Sequence, residues 1–317
     1  MKIISIFDTS ISEYNLGNQI IMDSIQKELD DIFKDKFQYN IPYQQITKNL
    51  KKCFNQSDYV FFGGTNSLTS FMNKYKQWDI NLYKTSYVKN VIMIGIGWWQ
   101  YQKDPNLYTR LVLKRALSKD FYHSVRDSYT EEKLKNLGFK VINTGCPTTW
   151  RLNKEKLKKI NNTQKSESVM LTFTDYNQDY ENDKRMFEIC KEKYEKLFIW
   201  PQGIGDLKYI KSIDTKGQAK IINPNLREYD FVLKNENIDY IGTRLHAGIR
   251  ALQNNVRAYF IAIDNRTIEM GKDIKIPYIQ RKNILELNDI IDLKYNSNFN
   301  INYNAIEKWK NQFKSRV

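Results

Sequence analysis

Residues 238–264, IDYIGTRLHAGIRALQNNVRAYFIAID, carry the pattern that decides the fold. A short apolar run with β-branched and aromatic residues at 238–241 predicts a strand, and the residues from 247 onward have the spacing of a helix. A second apolar run at 258–263 predicts another strand. A strand, a helix and a strand in this order favour two parallel strands in one sheet, so the stretch predicts an α/β protein.

The same alternation of short apolar runs and helical stretches continues in both directions along the chain. Strands are predicted at 2–8, 59–62, 91–96 and 139–143 in the first half, and at 168–173, 196–200, 219–222, 238–241 and 258–263 in the second. A polar segment rich in lysine and asparagine, residues 154–167, predicts an exposed connection with a short helix. We therefore expect two parallel-sheet domains, 1–153 and 168–317, with a cleft between them.

The C-terminal segment predicts a helix over residues 303–317. Ile306, Trp309 and Phe313 are spaced by three and four residues, which gives this helix one apolar face. We expect the apolar face to be buried, with the helix packing back across a domain.

Composition excludes several classes of protein. The chain has 317 residues, of which 41% are hydrophobic, and this is enough for ordinary globular cores. No apolar run approaches the roughly 18 residues that cross a bilayer, and the N-terminus reaches Asp8 before a signal-peptide core could form. The three cysteines are far apart, which predicts neither a disulfide framework nor a zinc site. We expect a cytoplasmic protein.

The formal net charge of +14 raises the question of an anionic partner. The lysines are scattered among Asn, Ile and Tyr residues and form no stripe with stacking aromatic residues, so they predict solvated side chains and no nucleic-acid partner. A mild attraction to anionic lipid headgroups fits the charge and would place the protein at the inner face of the membrane. A protein that binds nucleic acid or an anionic surface without catalysis is the alternative from another functional class.

The first candidate site is the segment Thr243, Arg244, Leu245 and His246, which joins a predicted strand to a predicted helix. Ligands bind at the carboxyl edge of open parallel sheets, and a helix N-terminus there offers free N–H groups and a partial positive charge. Arg244 adds a bidentate donor for carboxylate or phosphate, and His246 can transfer a proton near neutral pH. Alternatively, Arg244 makes an ion pair between domains and His246 only begins the helix.

The second candidate is HSVRDSYTEEKLKNLG, residues 123–138. Arg126 follows a strand and would supply a second guanidinium to the same anion, whereas the alternative is a surface ion pair. Asp127 is expected to be a turn or cap residue, and Ser128 or Thr130 can also cap the helix that follows. His123 is expected to be structural, because nothing pairs with it at catalytic spacing.

Further candidates stand at glycine-containing strand ends and at the carboxyl edge of the second domain. None of the glycine segments matches a dinucleotide fingerprint or a phosphate-binding P-loop. The isolated histidines and cysteines, without a carboxylate cluster, predict no metal site. The secondary candidates for the cleft are Asn18, Gly64, Thr65, Asn66, Gln202 and Asp206, and Arg266 is a candidate for an anion or sugar hydroxyls.

The order of these segments resembles the polysaccharide pyruvyl transferase family over nearly the whole chain. The matching pieces are NLGNQII from residue 15, GGTNSL from 63, VRDSYTEEKLKNLG from 125, TGCPT from 144 and RLHAGIRALQNNVRAYFIAID from 244. The last piece resembles the family's R-x-H-x-x-I-x-A-L segment and is the most specific. Two features depart from the family pattern: Thr65 and Asn66 interrupt its glycine run, and Arg266 stands where many relatives carry lysine.

The resemblance implies two Rossmann-like domains facing one cleft, as in GT-B glycosyltransferases, with the acceptor on the N-terminal side. It implies phosphoenolpyruvate as donor, with no further cofactor, and a sugar of a surface polysaccharide as acceptor, lipid-linked or nucleotide-linked. The product would be a pyruvate ketal, with release of phosphate. The nearest alternative is a GT-B glycosyltransferase or nucleotide-sugar enzyme, and a relative whose ligand has changed is another.

Phosphoenolpyruvate carries a carboxylate and a phosphate, so its site needs two cationic anchors and backbone N–H groups. Arg126, Arg244 and the helix start at Leu245 are the expected anchors, together with Arg266. His246 is the expected proton-transferring residue. Three roles stay open for it: protonating the donor's methylene carbon, deprotonating a sugar hydroxyl, or holding phosphate.

Overall fold

Two six-stranded parallel sheets organise the chain in the computed structural model, which describes residues 1–314. The strands are β1 Lys2–Asp8, β2 Lys36–Pro42, β3 Tyr59–Leu68, β4 Val91–Trp98, β5 His123–Val125, β6 Val141–Asn143, β7 Ser168–Thr172, β8 Lys196–Ile199, β9 Lys220–Ile221, β10 Ile238–Gly242, β11 Ala258–Ala262 and β12 Tyr278–Gln280. The first sheet has the order β2-β1-β3-β4-β5-β6 and the second has the order β12-β11-β10-β7-β8-β9. In each sheet the first strand along the chain, β1 or β7, has a neighbour on both sides, and all pairings are parallel, as in Rossmann-like domains.

Helices connect the parallel strands, as the alternating pattern predicts. They are α1 Gly17–Ile32, α2 Lys51–Gln56, α3 Leu107–Ala116, α4 Ser128–Lys135, α5 Lys154–Ile160, α6 Tyr180–Lys193, α7 Asp206–Ile213, α8 Leu226–Asn235, α9 Leu245–Gln253, α10 Asn265–Ile274, α11 Leu287–Ile290 and α12 Tyr303–Lys314. Among residues 1–314, no helix combines the length and the apolar character needed to span a bilayer.

The chain divides into two compact units. Unit 1 comprises Met1–Glu13, Ile21–Trp150 and the described part of Ile301–Val317, and it contains the first sheet. Unit 2 comprises Tyr14–Ile20 and Arg151–Asn300, and it contains the second sheet. The start of α1 therefore belongs to unit 2.

All nine predicted strands are present, and three strands were not predicted from the sequence. β2 lies at the edge of its sheet and has few buried side chains, so its sequence lacks a strong apolar run. β5 and β12 have three residues each, too few for a periodic pattern. The predicted connection at 154–167 does contain a short helix, α5.

The last described helix packs within unit 1. Its Phe313 ring lies 5.5 Å from the ring of Phe61 on β3 and 5.8 Å from that of Phe33, and its Trp309 ring lies 5.6 Å from that of Trp150. Ile306, Trp309 and Phe313 are all buried, so the predicted apolar face is confirmed. The prediction extended this helix to residue 317, and residues 315–317 lie outside the described part of the chain.

Close packing in unit 2 fixes α9 against its sheet. The glycine at position 248 lets the helix approach β10 and β11, because a Cβ atom there would clash with Phe260 and lie 2.7 Å from a ring carbon of Tyr240. Tyr229 of α8 stacks on Trp200 with 4.0 Å between ring centroids and donates a hydrogen bond to the Ala247 carbonyl oxygen. The N-terminal part of α9 is therefore held by close packing at Gly248 and by the hydrogen bond from the Tyr229 hydroxyl.

Candidate functional site

In unit 1, Arg126 lies at the carboxyl edge of the sheet, directly after β5. Its backbone N–H donates to the Ile96 carbonyl oxygen of β4, and its side chain is only 2% exposed. Nη2 donates to Asn66 Oδ1 of β3 at 2.5 Å and lies 3.4 Å from Asp127 Oδ2. The Nε–H is buried and has no acceptor among the described residues. Arg126 thus presents a donor that the protein itself does not use.

The backbone of β3 and β4 makes room for this arginine. A Cβ atom at Gly97 of β4 would clash with the Arg126 guanidinium and lie 2.9 Å from Asn66 Oδ1, so only glycine lets the two side chains meet across the strand. The pairing of β3 with β4 shifts register between Thr65 and Leu68. Thr65 has a φ of 115°, which is a strained conformation for a β-branched residue. Asn66, which contacts Arg126, lies within this irregular segment of β3.

The other polar residues of segment 123–138 are structural. Asp127 is the N-cap of α4, and its Oδ1 accepts the Thr130 N–H at 2.8 Å. His123 is fully buried, accepts the Met93 N–H through Nδ1 and donates from Nε2 to the Ser118 carbonyl oxygen. Burial lowers the pKa of His123 to about 4, although the Ser118 bond opposes the shift. This histidine is a neutral core residue.

In unit 2, α9 begins one residue after Arg244, at the carboxyl end of β10. The Arg244 N–H donates to Thr172 Oγ1 of β7, and its carbonyl oxygen accepts the Tyr240 hydroxyl at 2.7 Å. The N–H groups of Leu245 and Ala247 find no hydrogen-bond acceptor within residues 1–314. His246 is the second residue of the helix and is buried. The predicted helix start is confirmed, and two of its N–H groups can bind an anion.

The Arg244 side chain turns to carboxylates of its own unit. Nε donates to Asp206 Oδ2 at 3.1 Å, Nη2 contacts Asp206 Oδ1, and Nη2 also donates to Asp175 Oδ1 at 3.0 Å. Asp206 is fully buried and accepts the N–H groups of Gln202, Gly203 and Asp175 as well. Burial raises the pKa of Asp206, and the Arg244 charge opposes this shift. The guanidinium is thus neutralised before any ligand binds.

Arg266 and Tyr176 adjoin this ion pair. The Tyr176 ring centre is 5.2 Å from the guanidinium carbon of Arg244 and 5.9 Å from that of Arg266. Arg266 Nε donates to Asp264 Oδ2 at 2.9 Å, and its Nη2 contacts the Tyr176 hydroxyl. Asp264 is also the N-cap of α10, so Arg266 is tied to its own helix start. Arg244 and Arg266 therefore each have a carboxylate partner.

The remaining candidates have mainly local partners. Gln202 donates from Nε2 to Asn15 Oδ1 at 2.8 Å, and its buried Oε1 has no donor among residues 1–314. Asn18 is buried in the first turn of α1, where its N–H donates to the Asn15 carbonyl oxygen. Gly64 faces α1, because a Cβ atom there would clash with Ile21. Gly64 therefore allows close packing of a helix on the sheet.

The structure thus brings the predicted residues together in two groups. In unit 1, Asn66 contacts Arg126, and Thr65 directly precedes Asn66 in β3. The carboxyl edge of the sheet in unit 2 holds Arg244, Leu245, His246, Gln202, Asp206 and Arg266. Sequence reasoning missed Asp175 and Tyr176, and it singled out the glycine-containing strand end at 95–99 without giving Gly97 a role of its own. Asp175 and Tyr176 follow β7 directly, so their position at a strand end was an available signal. No three His, Cys, Asp or Glu side chains of the described residues gather as a metal-binding group.

Comparisons with known proteins identify related sequences and folds. The family model described as polysaccharide pyruvyl transferase matches residues 15–265. No curated protein matches the chain. The structure of Methanocaldococcus jannaschii UDP-GlcNAc 2-epimerase, in complex with UDP-GlcNAc and UDP, is 15% identical with a TM-score of 0.55, over 99% of this chain and 100% of that one.

A putative UDP-N-acetylglucosamine 2-epimerase from Listeria monocytogenes is similar to the same degree. It is 13% identical with a TM-score of 0.55, over 99% of this chain and 96% of that one. At these identities the likenesses concern the fold alone. The two parallel sheets and these similar structures together confirm the prediction of two Rossmann-like domains of the GT-B-like class.

Proposed function

The chain belongs to the polysaccharide pyruvyl transferase family and is a transferase, and we propose that it moves the pyruvyl group of phosphoenolpyruvate to a sugar. The sugar belongs to a surface polysaccharide or to its lipid-linked or nucleotide-linked precursor. The product is a pyruvate ketal, and phosphate is released. The observation that carries this proposal is the start of α9, where unpaired N–H groups and a buried histidine lie in the region that the family model matches.

The donor has two anionic groups, and the two units offer different means of binding an anion. At the start of α9, the N–H groups of Leu245 and Ala247 lie at the positive end of a nine-residue helix. Arg244 and Arg266 add positive charge, but Asp206, Asp175 and Asp264 already balance it. In unit 1, Arg126 offers an unpaired Nε–H and has one ion-pair partner, at 3.4 Å. We assign anion binding to the α9 N-terminus in unit 2, with Arg244 and Arg266 in support, and to Arg126 in unit 1.

His246 is the proposed proton-transferring residue. When the methylene carbon of phosphoenolpyruvate takes a proton, its C2 becomes electrophilic, so two sugar hydroxyls can add in turn while phosphate leaves. An imidazole is suited to this transfer because its pKa lies close to neutral pH. A position in the first turn of α9 would set the imidazole beside the bound anion.

We further propose that the reaction takes place in the cytoplasm. The three cysteines are free and buried, as expected for a protein of a reducing compartment. The charge of +14 favours a peripheral contact with anionic lipid at the inner face of the membrane.

The test is a transfer assay with mass detection. The protein is incubated with phosphoenolpyruvate and a panel of p-nitrophenyl hexosides, UDP-sugars and lipid-linked sugars, and the products are analysed for a pyruvyl ketal and for phosphate. We expect product in at least one reaction, and we expect His246→Ala to lower the rate by about 10²- to 10⁴-fold with an unchanged melting temperature. Stabilisation by UDP-GlcNAc instead of phosphoenolpyruvate in a thermal-shift experiment would favour the nucleotide-sugar alternative.

A further inference from the structure

A carboxylate at the end of β1 lacks the partners that buried carboxylates normally have. Asp8 is the last residue of the strand and is 7% exposed. Its Oδ1 accepts the N–H of Ser10 at 2.8 Å and the hydroxyl of Ser10 at 2.6 Å. Its Oδ2 accepts no hydrogen bond from the described residues, and no lysine or arginine among them pairs with it. A buried charge without a cation is costly, which makes Asp8 a candidate for a functional role.

Other buried aspartates of the chain show what is missing at Asp8. Four of them pair with an arginine: Asp127 with Arg126, Asp183 with Arg281, Asp206 with Arg244, and Asp239 with Arg257. Asp214 has no cation, but each of its oxygens accepts a backbone N–H. Among these six buried aspartates of the described residues, Asp8 alone has neither an ion pair nor a donor on its second oxygen.

The place of Asp8 in the sheet relates it to Arg126. β1, β3, β4 and β5 are neighbours, so Asp8, Asn66 and Arg126 lie along one carboxyl edge. Three strand spacings separate β1 from β5, which is about 14 Å. This length accommodates a three-carbon donor at Arg126 and a sugar ring beside it. The adjacent Thr9 hydroxyl is buried and has no partner within residues 1–314, which adds a second unused polar group at this end.

We propose that Asp8 binds the acceptor sugar and takes the proton of the hydroxyl that attacks the donor. This inference rests on the proposed function, because the proposed function identifies the acceptor as a sugar and the donor as phosphoenolpyruvate. The hydroxyl oxygen forms a bond to C2 of the protonated donor, the O–H bond breaks, and its proton passes to the Asp8 carboxylate. The second hydroxyl then displaces phosphate, which carries that hydroxyl's proton away. Oδ2, which has no other donor, is the accepting atom.

The test compares Asp8→Asn with the wild-type protein. Asparagine keeps an oxygen acceptor for the two Ser10 donors, so the turn is retained while the charge and the basic oxygen are lost. We expect the transfer rate to fall by about 10²- to 10⁴-fold, with phosphoenolpyruvate affinity by calorimetry unchanged. Asp8→Glu restores the carboxylate and should recover part of the rate. Asp58→Asn is the matched control, because Asp58 lies at the opposite edge of the same sheet and bonds to the Ile3 N–H.

Two measurements separate this inference from the proposed function. If the wild-type protein forms no ketal with any acceptor in the panel, the proposed function fails and the role of Asp8 falls with it. If wild type and Asp8→Asn form ketal at equal rates, only the role of Asp8 is overturned. Carbodiimide labelling of the wild-type protein covers the case in which the variant does not fold. The acceptor that gives product should slow the modification of Asp8 and leave that of Asp58 unchanged, and equal labelling with and without acceptor would refute the contact.

Discussion

Arg126 in unit 1 and Arg244 in unit 2 both lie at the carboxyl end of a strand, and their surroundings differ. Each follows a buried strand at a carboxyl edge, and each is less than 5% exposed. Arg244 has a bidentate pair with Asp206 and a third bond to Asp175. Arg126 has an amide oxygen at 2.5 Å, a carboxylate at 3.4 Å and an Nε–H without a partner.

This difference separates two uses of a buried guanidinium. A group that is paired on several sides holds loops in place, because breaking any of those bonds leaves a buried charge uncompensated. A guanidinium with an unused N–H donor forms a new charge-assisted hydrogen bond when an anion binds, and this bond stabilises the complex. We therefore infer that Arg244 chiefly shapes the start of α9 and that Arg126 contributes more binding energy to the donor.

Removing the charge of Asp206 should have the largest effect. In Asp206→Asn the Arg244 guanidinium stays buried with only Asp175 to balance it, so the free energy of unfolding should fall by about 3–5 kcal/mol. Urea denaturation measures this quantity. The matched control is Asp230→Asn, whose partner Arg250 lies in a more exposed pair with 12% and 18% side-chain exposure. That variant should lose about 1 kcal/mol or less, and equal losses would contradict a special role for the Asp206 pair.

Replacing Arg126 should affect ligand binding more than stability. Arg126→Ala removes the unpaired donor, and the affinity for phosphoenolpyruvate should fall by about 10- to 100-fold, the usual value of a charge-assisted hydrogen bond. Arg126→Lys keeps the charge but not the fork that reaches Asn66, so it should recover only part of the affinity. Calorimetry measures both variants, and Arg115→Ala removes an exposed charge from the same unit as a control. Unchanged affinity in Arg126→Ala would show that the donor binds elsewhere.

Much of the fold can be predicted from the sequence, because the strands of a buried parallel sheet consist of continuous apolar residues that are recognisable in the sequence. All nine predicted strands and the start of α9 are present in the structure. β2, β5 and β12 escaped prediction, because an edge strand or a strand of three residues carries little periodic signal. The position of Arg244 at the end of a predicted strand was likewise predictable from local pattern, whereas the strand that precedes Arg126, β5, was not among the predicted strands.

The partners of these arginines were not predictable, because they come from distant parts of the chain. Asp206 is 38 residues from Arg244, and Asn66 is 60 residues from Arg126. Nothing local in either segment distinguishes a paired guanidinium from one with an unused donor. Thr65 shows the same limit, since its positive φ occupies a position where the resembling family has a glycine run. The sequence shows the departure from the glycine pattern, but only the structure shows that the backbone conformation is kept at a cost in strain.

The smallest expected effect concerns Asp175, the more exposed of the two partners of Arg244, at 30% side-chain exposure. Asp175→Asn retains an oxygen for the Arg244 Nη2 but removes one negative charge near the α9 N-terminus. Affinity for phosphoenolpyruvate should therefore rise by about two- to fivefold, in line with the modest energy of partly exposed pairs. The gain should shrink as salt screens the charge, and Asp289→Asn, a change at an exposed residue of α11, should leave the affinity unchanged. If Asp175→Asn binds the donor as wild type does, Arg244 keeps both partners in the complex and acts only by positioning α9.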